Sequence, residues 1–328
     1  MSDSLRELAD ALAQPEGQGG SALAAELGVT RAAVWKRIER LRAMGLAIEP
    51  GARRRYRLAR PIDWLDRERI RRALSREARA VLGTLELHFE LDSTSSEWSR
   101  RGPALASGSV CLAEWQSAGR GRRGRAWSST LGAGICCSVI WRYEQGLSAL
   151  AGLSLAVALA LRRGLHALGL APVGLKWPND LQHRDVKLGG ILVEASGEST
   201  GPCSVVIGFG VNVHDVPQAM DLGRAITCTD RIAEDGGHRA PDRNAIAAAL
   251  LDALLPALAR FGQEGFAPLR REWQEADALA GHRIEVQAGG ESYAATAAGV
   301  DDAGCLRVRV GGRERTLASA EVSVRTAP

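Results

Sequence analysis

The spacing of apolar positions changes twice along the chain, and each change predicts a different architecture. At the start, Leu5, Leu8, Ala9 and Leu12 recur at helical spacing until Pro15 with Gly17, Gly19 and Gly20 breaks the helix. Ser21 is placed to cap a second helix over 22–27, and Gly28 follows where the chain must turn. Thr30 is placed to cap a third helix with the apolar face Ala33, Val34, Ile38 and Leu41. After Gly45, two short β-like stretches, 47–49 and 56–58, flank the turn Pro50-Gly51-Ala52-Arg53-Arg54-Arg55. The pattern is helix, tight turn, helix and a wing with a basic tip.

From Ala80 the texture becomes mixed α/β. Leu85, Leu87, Phe89 and Leu91 alternate as a strand, and Asp92-Ser93-Thr94 ends it with hydroxyls at a turn. Further strands are predicted over 110–115, 135–141, 173–176, 187–194 and 205–213, and helices over 147–168, 242–261 and 268–279. Gly281 opens the last texture, short strands at 284–286, 292–298, 306–310 and 314–318 separated by Gly-Gly or Asp-Asp-Ala-Gly turns. A small β-barrel fits, and alone it is marginal in size, so it is expected to pack on the region before it. The fold class expected is α/β and multi-domain, divided as 1–60, 61–275 and 276–328, which suits a chain of 328 residues.

Charge sharpens this division. The net charge is +4, but residues 31–60 hold ten basic and two acidic side chains, a balance of +8, which leaves the rest at −4. A positive field confined to one end predicts a polyanionic partner there, bound with salt-dependent affinity. The first residues lack the basic-then-apolar layout of a signal peptide, the apolar run 147–168 is interrupted by Arg162 and Arg163, and the six cysteines form no metal or redox motif. A cytoplasmic protein without a membrane span is expected.

Lys and Arg total 42, yet only Lys36, Lys176 and Lys187 are lysines. A chain that has moved its basic positions to arginine keeps lysine where a compact ammonium is needed, so Lys176 and Lys187 are candidates for chemistry. Between them stand Trp177-Pro178-Asn179-Asp180, where proline stops a strand and is expected to turn the carboxamide and carboxylate outward. Upstream, Gly119 to Arg125 packs three glycines and four arginines into seven positions, suited to close backbone approach and to anionic groups. Gly119, Gly121 and Gly124 match a dinucleotide fingerprint in letters, but no helix opens at the last glycine, and the tract lacks the interleaved aromatics of an RNA platform.

Taken in order, Asp92-Ser93-Thr94, the Gly-Arg loop, Lys176-Trp-Pro-Asn-Asp180, Lys187-Leu-Gly-Gly-Ile-Leu-Val-Glu194 and Gly208-Phe-Gly-Val-Asn212 resemble biotin protein ligase. With the winged helix-turn-helix, the chain resembles the bifunctional form that also represses the biotin operon. The resemblance implies a class II synthetase-like mixed sheet with helices at the centre and an SH3-like barrel at the end. It implies that biotin and ATP, with Mg²⁺, give biotinyl-5′-AMP, and that biotin then passes to a lysine of the biotin carboxyl carrier protein of acetyl-CoA carboxylase.

Roles follow from the matched motifs. Lys187 is expected on the biotin carboxylate and the bridging α-phosphate oxygen, with Arg120, Arg122 and Asp180 beside it as catalytic residues. Biotin is expected on Ser93, Thr94, Ser95, Gln116, Arg120, Gly121, Arg122, Lys187 and Gly190, and the nucleotide on Arg122, Arg123, Arg125, Trp127, Lys176, Asn179 and Asn212. Asn179 and Asp180 would hold Mg²⁺ through water or orient the target lysine. Thr30, Arg31, Lys36, Arg37, Arg53, Arg54 and Arg55 are expected on operator DNA, with the third helix presenting Arg40 as well, and biotinyl-AMP is expected to promote a homodimer. Two departures stand out: Ser95 replaces the asparagine common after Asp-Ser-Thr, and 214–225 has no aromatic residue to stack on adenine. A sensor that binds an acyl-adenylate without making it, and a same-fold ligase for lipoate or another acid, are the competing readings.

Overall fold

A computed structural model describes residues 2–51, 55–215, 225–288, 291–318 and 322–326. The N-terminal unit comprises α1 (Ser2–Leu12), β1 (Gln18–Gly19), α2 (Gly20–Glu26), α3 (Arg31–Ala43), β2 (Ile48–Gly51) and β3 (Arg55–Leu58), with the strands ordered β1-β3-β2. Leu8 and Leu12 of α1, Leu23 of α2 and Ile38 and Leu41 of α3 close its core. Thr30 caps α3 as expected, its hydroxyl accepting from Ala33 N at 3.2 Å. Ser21 does not cap α2, because the glycine run is used differently. Gly17 sits at φ +65° where a Cβ would lie 2.9 Å from Tyr56 O, which lets 18–19 pair with β3 and leaves Gly19 as the cap residue. Arg53 and Arg54, at the predicted wing tip, lie outside the described residues.

The central unit is built on a seven-stranded sheet. Ahead of it come α4 (Arg67–Ala73) and α5 (Arg76–Val81), which the highly charged sequence concealed; only Ile70, Leu74 and Ala78 mark their buried face. Then follow β4 (Leu85–Leu91), α6 (Thr94–Arg101), β5 (Ser109–Gln116), the small hairpin β6 (Gly119–Arg120) and β7 (Ala126–Trp127), β8 (Gly134–Tyr143) and α7 (Leu153–Ala167). Next are β9 (Gly174–Lys176), β10 (Asp180–His183), β11 (Val186–Gly197), β12 (Cys203–Asn212), α8 (Thr229–Asp235), α9 (Arg243–Glu264) and α10 (Arg270–Glu275). The order is β4-β5-β8-β12-β11-β10-β9, with β4 and β5 parallel and the other pairs antiparallel. Alternation sorts the layers: Val110 and Leu112 face the α7–α9 side, while Cys111 joins Trp98 of α6 on the other.

Three expectations need correction. The helix over 147–168 is split, because Gly152 at φ +77° separates a 3₁₀ turn at Leu147–Leu150 from α7, and a Cβ there would lie 2.5 Å from Phe266. The polar stretch after Asp180 is not a loop but β10, paired on both sides. The helix over 268–279 shortens to a 3₁₀ turn and α10, since Ala276 O and Ala278 N instead bond the backbone of Leu175 at 2.8 and 2.9 Å. Helix α9 is apolar and 22 residues long, enough by length and composition to cross a membrane, but it packs on α7, α4, α5 and β8 within the core.

The last unit is an antiparallel sheet of β13 (Arg283–Ala288), β14 (Glu291–Val300), β15 (Leu306–Val310), β16 (Arg313–Leu317) and β17 (Val322–Thr326), ordered β16-β15-β14-β13-β17. Its interior residues Ile284, Val286, Leu306 and Val308 belong to the same apolar cluster as α7 and α9, so the small module completes a core that it could not form alone.

A buried charge pair ties these parts together. Arg243, fully buried at the start of α9, donates from Nη1 to Glu114 Oε2 on β5 at 2.7 Å, and Glu114 Oε1 accepts from Leu65 N at 2.7 Å. Removing one partner strands the other charge, so Glu114→Ala is expected to lower unfolding free energy by about 3–5 kcal/mol; chemical denaturation measures it, with faster proteolysis near 60–66 as the local readout. At the base of the last module, burial raises the Asp277 carboxyl from the ordinary 3.8 to about 6, and its Oδ2 has no partner among the described residues. The folded state therefore binds the proton more tightly than the unfolded chain. This favours folding at low pH and fades as pH rises from about 4 to about 6, leaving a desolvated charge above that. Asp277→Asn is expected to raise stability at pH 7.5 by roughly 2 kcal/mol and to change it little at pH 4, as thermal melts across that range will report.

Candidate active site

A cavity of about 810 Å³ opens over the middle of the large sheet, a size suited to a small molecule with an attached nucleotide. Four structural pieces surround it: the N-terminus of α6, the loop carrying β6 and β7, the turn at 177–179, and the facing positions of β11 and β12. The sequence motifs, far apart in the chain, converge here. Of the residues expected on biotin or the nucleotide, all but Asn212 line the cavity.

At one end the wall is a set of interlinked hydroxyls. Ser93 caps α6, its Oγ accepting from Ser96 N at 3.3 Å, so the residues the sequence assigned to a turn also start a helix. Thr94 Oγ1 lies 2.7 Å from Ser138 Oγ, and Ser95 Oγ lies 2.9 Å from the same atom. Gln116 Oε1 accepts from Thr94 N at 2.7 Å and from Thr94 Oγ1 at 3.1 Å, and its Nε2 lies beside Gly119, 2.9 Å from where a Cβ would stand. Ser138 was not foreseen. Its signal was there, a single hydroxyl inside the apolar run Ile135-Cys-Cys-Ser-Val-Ile-Trp141.

At the other end, Lys187 Nζ donates to Asp180 Oδ1 at 2.5 Å, across the β10–β11 ladder. Gly190 lies beneath them, and a Cβ there would approach Lys187 Nζ to 3.1 Å. Asn179 behaves otherwise than expected. Its carboxamide turns inward, Nδ2 donating to Ile191 O at 2.8 Å, while Oδ1 accepts from Arg122 Nη1 at 3.4 Å. Lys176 pairs in register with Asp180 and faces the same cavity. Asn212 stands off from it, donating from Nδ2 to Thr227 O at 3.0 Å, while Thr227 N donates to Lys187 O at 2.8 Å. Together they anchor the far end of the segment 213–227. Residues 216–224, where an adenine-covering stretch was expected, lie outside the described residues.

The arginine loop forms the rim. Arg120 makes a two-pronged ion pair with Glu194 at 2.8 and 2.5 Å, and Arg123 takes a left-handed conformation at φ 57°. Burial and the nearby Arg123 charge pull the Arg122 guanidinium below its ordinary pKa, against the opposing pull of the Asp180 carboxylate. Trp127 packs onto β12 because position 210 is glycine: a Cβ there would lie 2.3 Å from the indole. A Cβ at position 208 would lie 2.3 Å from Ser95 Oγ, so any side chain there would push that hydroxyl from its place. The Gly-Phe-Gly motif thus makes room for both ends of the site.

The N-terminal candidates divide. Thr30 is occupied as a cap and Arg31 is exposed at the first position of α3, while Arg55 reaches Glu16 O at 3.3 Å. Lys36 and Arg37 line a separate cleft of about 840 Å³ between α3 and β4. Arg40 is exposed as expected, but it is also held at the cleft: it pairs with Glu90 of β4 and stacks over Trp115, 5.2 Å from the ring centroid.

The chain is similar to known proteins over nearly its whole length. The profile described as the biotin/lipoate A/B protein ligase family matches residues 90–212, and one described as an HTH domain matches 6–57. The bifunctional ligase/repressor BirA of Escherichia coli is 36% identical over 318 residues, 96% of this chain and 95% of that protein. The biotin–[acetyl-CoA-carboxylase] ligase of Paracoccus denitrificans is 35% identical over 240 residues, 70% of this chain and 96% of its own. Among solved structures, the biotin protein ligase of Aquifex aeolicus in complex with biotin and ATP shares the fold, with a TM-score of 0.64 at 22% identity, covering 74% of this chain and 99% of that one.

The tight seat of Trp127 gives a direct test. Gly210→Ala must displace the indole and loosen the loop that it anchors, so tryptic cleavage at Arg120 to Arg125 is expected to quicken about tenfold, the factor given by 1.4 kcal/mol of local stability. Timed digestion followed by mass spectrometry of the fragments measures it.

Proposed function

The chain belongs to the biotin/lipoate A/B protein ligase family, in its bifunctional ligase and repressor form, and from that premise we propose how its own residues divide the work. The protein activates biotin with ATP to biotinyl-5′-AMP, transfers biotin to a lysine of the biotin carboxyl carrier protein, and represses transcription by binding DNA in response to biotin.

Thr94, Gln116, Ser95 and Ser138 form the polar end that receives the ureido ring of biotin. Linked hydroxyls can each donate or accept, so the cluster adapts to a ring that presents both a carbonyl and N–H groups. With serine at 95 in place of a longer carboxamide, Ser138 supplies part of that hydrogen bonding through the 2.9 Å contact. Gly121 and Gly190 leave the backbone bare along the tail of the ligand.

The chemical step must bring a carboxylate to the α-phosphorus of a polyanion. A biotin carboxylate oxygen bonds to phosphorus as the bond to the bridging α-phosphate oxygen breaks, and pyrophosphate leaves with the electron pair. Lys187 sits where charge develops, and Asp180, 2.5 Å away, holds the ammonium in place. Arg120, Arg122, Arg123 and Arg125 neutralise the phosphates from the rim, and Trp127 with Lys176 flanks the nucleotide. In this scheme Asn179 aims Arg122 and Asn212 ties the end of β12 to Thr227. Beneath the arginine loop the anhydride is protected from water until the carrier lysine attacks the acyl carbon as a neutral amine, AMP departs with the electron pair of the acyl–oxygen bond, and the amine's extra proton passes to solvent.

Among the described residues no three His, Cys, Asp or Glu side chains converge as a metal cage. Of the two residues expected to hold Mg²⁺, Asp180 would meet an ion carried on phosphates through water, whereas the Asn179 carboxamide is committed to Ile191 O and Arg122. When bound, Mg²⁺ offsets phosphate charge.

Three units serve these tasks, a DNA-binding part over 1–60, a ligase part over 61–275 and a terminal module over 276–328. Repression at a two-fold site calls for a homodimer, formed when biotinyl-AMP is bound, because two winged helices must meet two half-sites. All six cysteines are free thiols, which supports a reducing compartment, the cytoplasm.

The observation that carries the catalytic reading is the Lys187–Asp180 pair above Gly190. Incubation with ATP, Mg²⁺ and biotin, followed by mass spectrometry, is expected to yield biotinyl-AMP, and Lys187→Ala to slow its formation by about 10²–10³. Lys187→Arg is expected to rescue little, because a guanidinium is too broad for the contact. An unchanged adenylate yield in Lys187→Ala overturns this mechanism.

A further inference from the structure

Helix α3 presents three edges with different fates. Val34, Ile38 and Leu41 are buried in the N-terminal core. Ala33, Lys36, Arg37 and Arg40 face the cleft against β4, and Arg40 is held there by Glu90 and the Trp115 ring. The remaining edge carries Arg31, Ala32, Trp35 and Glu39, and Trp35 is 56% exposed, the one exposed large hydrophobic side chain among the described residues.

From this arrangement we propose that Trp35 is a sequence-reading residue, taking the thymine methyl of an operator base pair in the DNA major groove. The inference rests on the DNA-binding role and specifies it. Three observations support it.

Trp35 is the fifth residue of the helix, and the N-terminal part of such a helix is what meets base edges. The surrounding charge suits a polyanion: Arg31 lies one turn before, and the carboxylate of Glu39 one turn after is offset by Arg42 at 2.8 Å. Finally, an indole in water is costly unless a partner covers it, and the thymine methyl is the one apolar group on major-groove base edges. The indole N–H, which has no hydrogen bond among the described residues, is free to meet a neighbouring acceptor such as a purine N7. The more obvious basic candidates, Lys36 and Arg37, lie on the edge that looks toward the catalytic unit.

The test uses the full chain with ATP, Mg²⁺ and biotin, and duplexes selected by it from a random library. Trp35→Ala is expected to lower affinity for the selected duplex about tenfold while leaving a scrambled duplex unchanged. Replacing thymine by uracil, one position at a time, is expected to weaken the native protein severalfold at one position per half-site and to leave Trp35→Ala indifferent there. Trp35→Phe should restore part of the methyl dependence. Biotinyl-AMP synthesis and the thermal midpoint are expected to be unaltered, since the side chain touches neither core nor catalytic cleft. Equal affinity of Trp35→Ala and native protein for the selected duplex overturns the proposal, as does the same uracil profile in both. Sedimentation showing that Trp35→Ala instead loses self-association also overturns it, and assigns the indole to a second copy. Failure of the native protein to enrich any duplex would remove the DNA-binding reading itself, a different result from failure of the residue assignment.

Discussion

One buried ion pair joins the central sheet, the longest helix and the connection from the DNA-binding unit. Glu114 and Arg243 are both withdrawn from water, which costs more than their attraction alone returns, so the pair persists only with its remaining hydrogen bonds filled. They are filled. Arg243 donates to Asp63 O at 2.8 Å and to Gly134 O at 2.9 Å, its own N–H reaches Asp63 Oδ2 at 2.7 Å, and Glu114 takes Leu65 N. The adjacent Asn244 accepts from Asp66 N and donates to Trp64 O. Two strands, the longest helix and the connection from the DNA-binding unit therefore meet at one polar node. Apolar residues could fill the space, but they would not fix where the connecting segment enters.

The same strand serves both halves of the protein. Trp115 and Gln116 are neighbours on β5, and alternation sends them to opposite faces. Gln116 looks into the catalytic cleft, whereas Trp115, with Leu131, completes the apolar core of the winged helix and carries Arg40 on its ring. Other contacts reinforce the seat: Trp64 donates to Asp10 at 2.6 Å, Arg6 stacks on Trp64, and Leu131 N bonds Met44 O at 2.9 Å. Ser129 closes the circuit, joining the Gln116 backbone through its hydroxyl and the Trp115 indole through its carbonyl. The floor of the cleft and the seat of the DNA-binding unit are thus two sides of one strand.

Within the cleft, polarity is concentrated by glycine. Strands β11 and β12 would ordinarily cover the sheet with side chains, yet 190, 208 and 210 are bare, and Lys187, Ser95 and Trp127 occupy the space released. The hydroxyl cluster and the lysine–aspartate pair then stand on strands and a helix end, with the arginine loop above. A site that must bind a neutral ring and a polyanion in turn needs both kinds of support.

The sequence by itself determined the periodicities, and with them most strands, the major helices, the winged unit and the identity of the chemical motifs. Those follow from local rules, since alternation, capping at Thr30 and Asp242, and turn residues act over a few positions. It also named Lys187 and Asp180, because a scarce residue type in a distinctive string is visible without coordinates. Tertiary structure decided what depends on partners distant in the chain. It made β10 a strand by flanking it on both sides, turned Asn179 inward to the β11 backbone, set Asn212 outside the cavity, and brought in Ser138. It also drew Arg40 onto β4 and left Trp35 in water, a choice no helical period reveals, because an amphipathic pattern distinguishes core from surface but not one exposed edge from another.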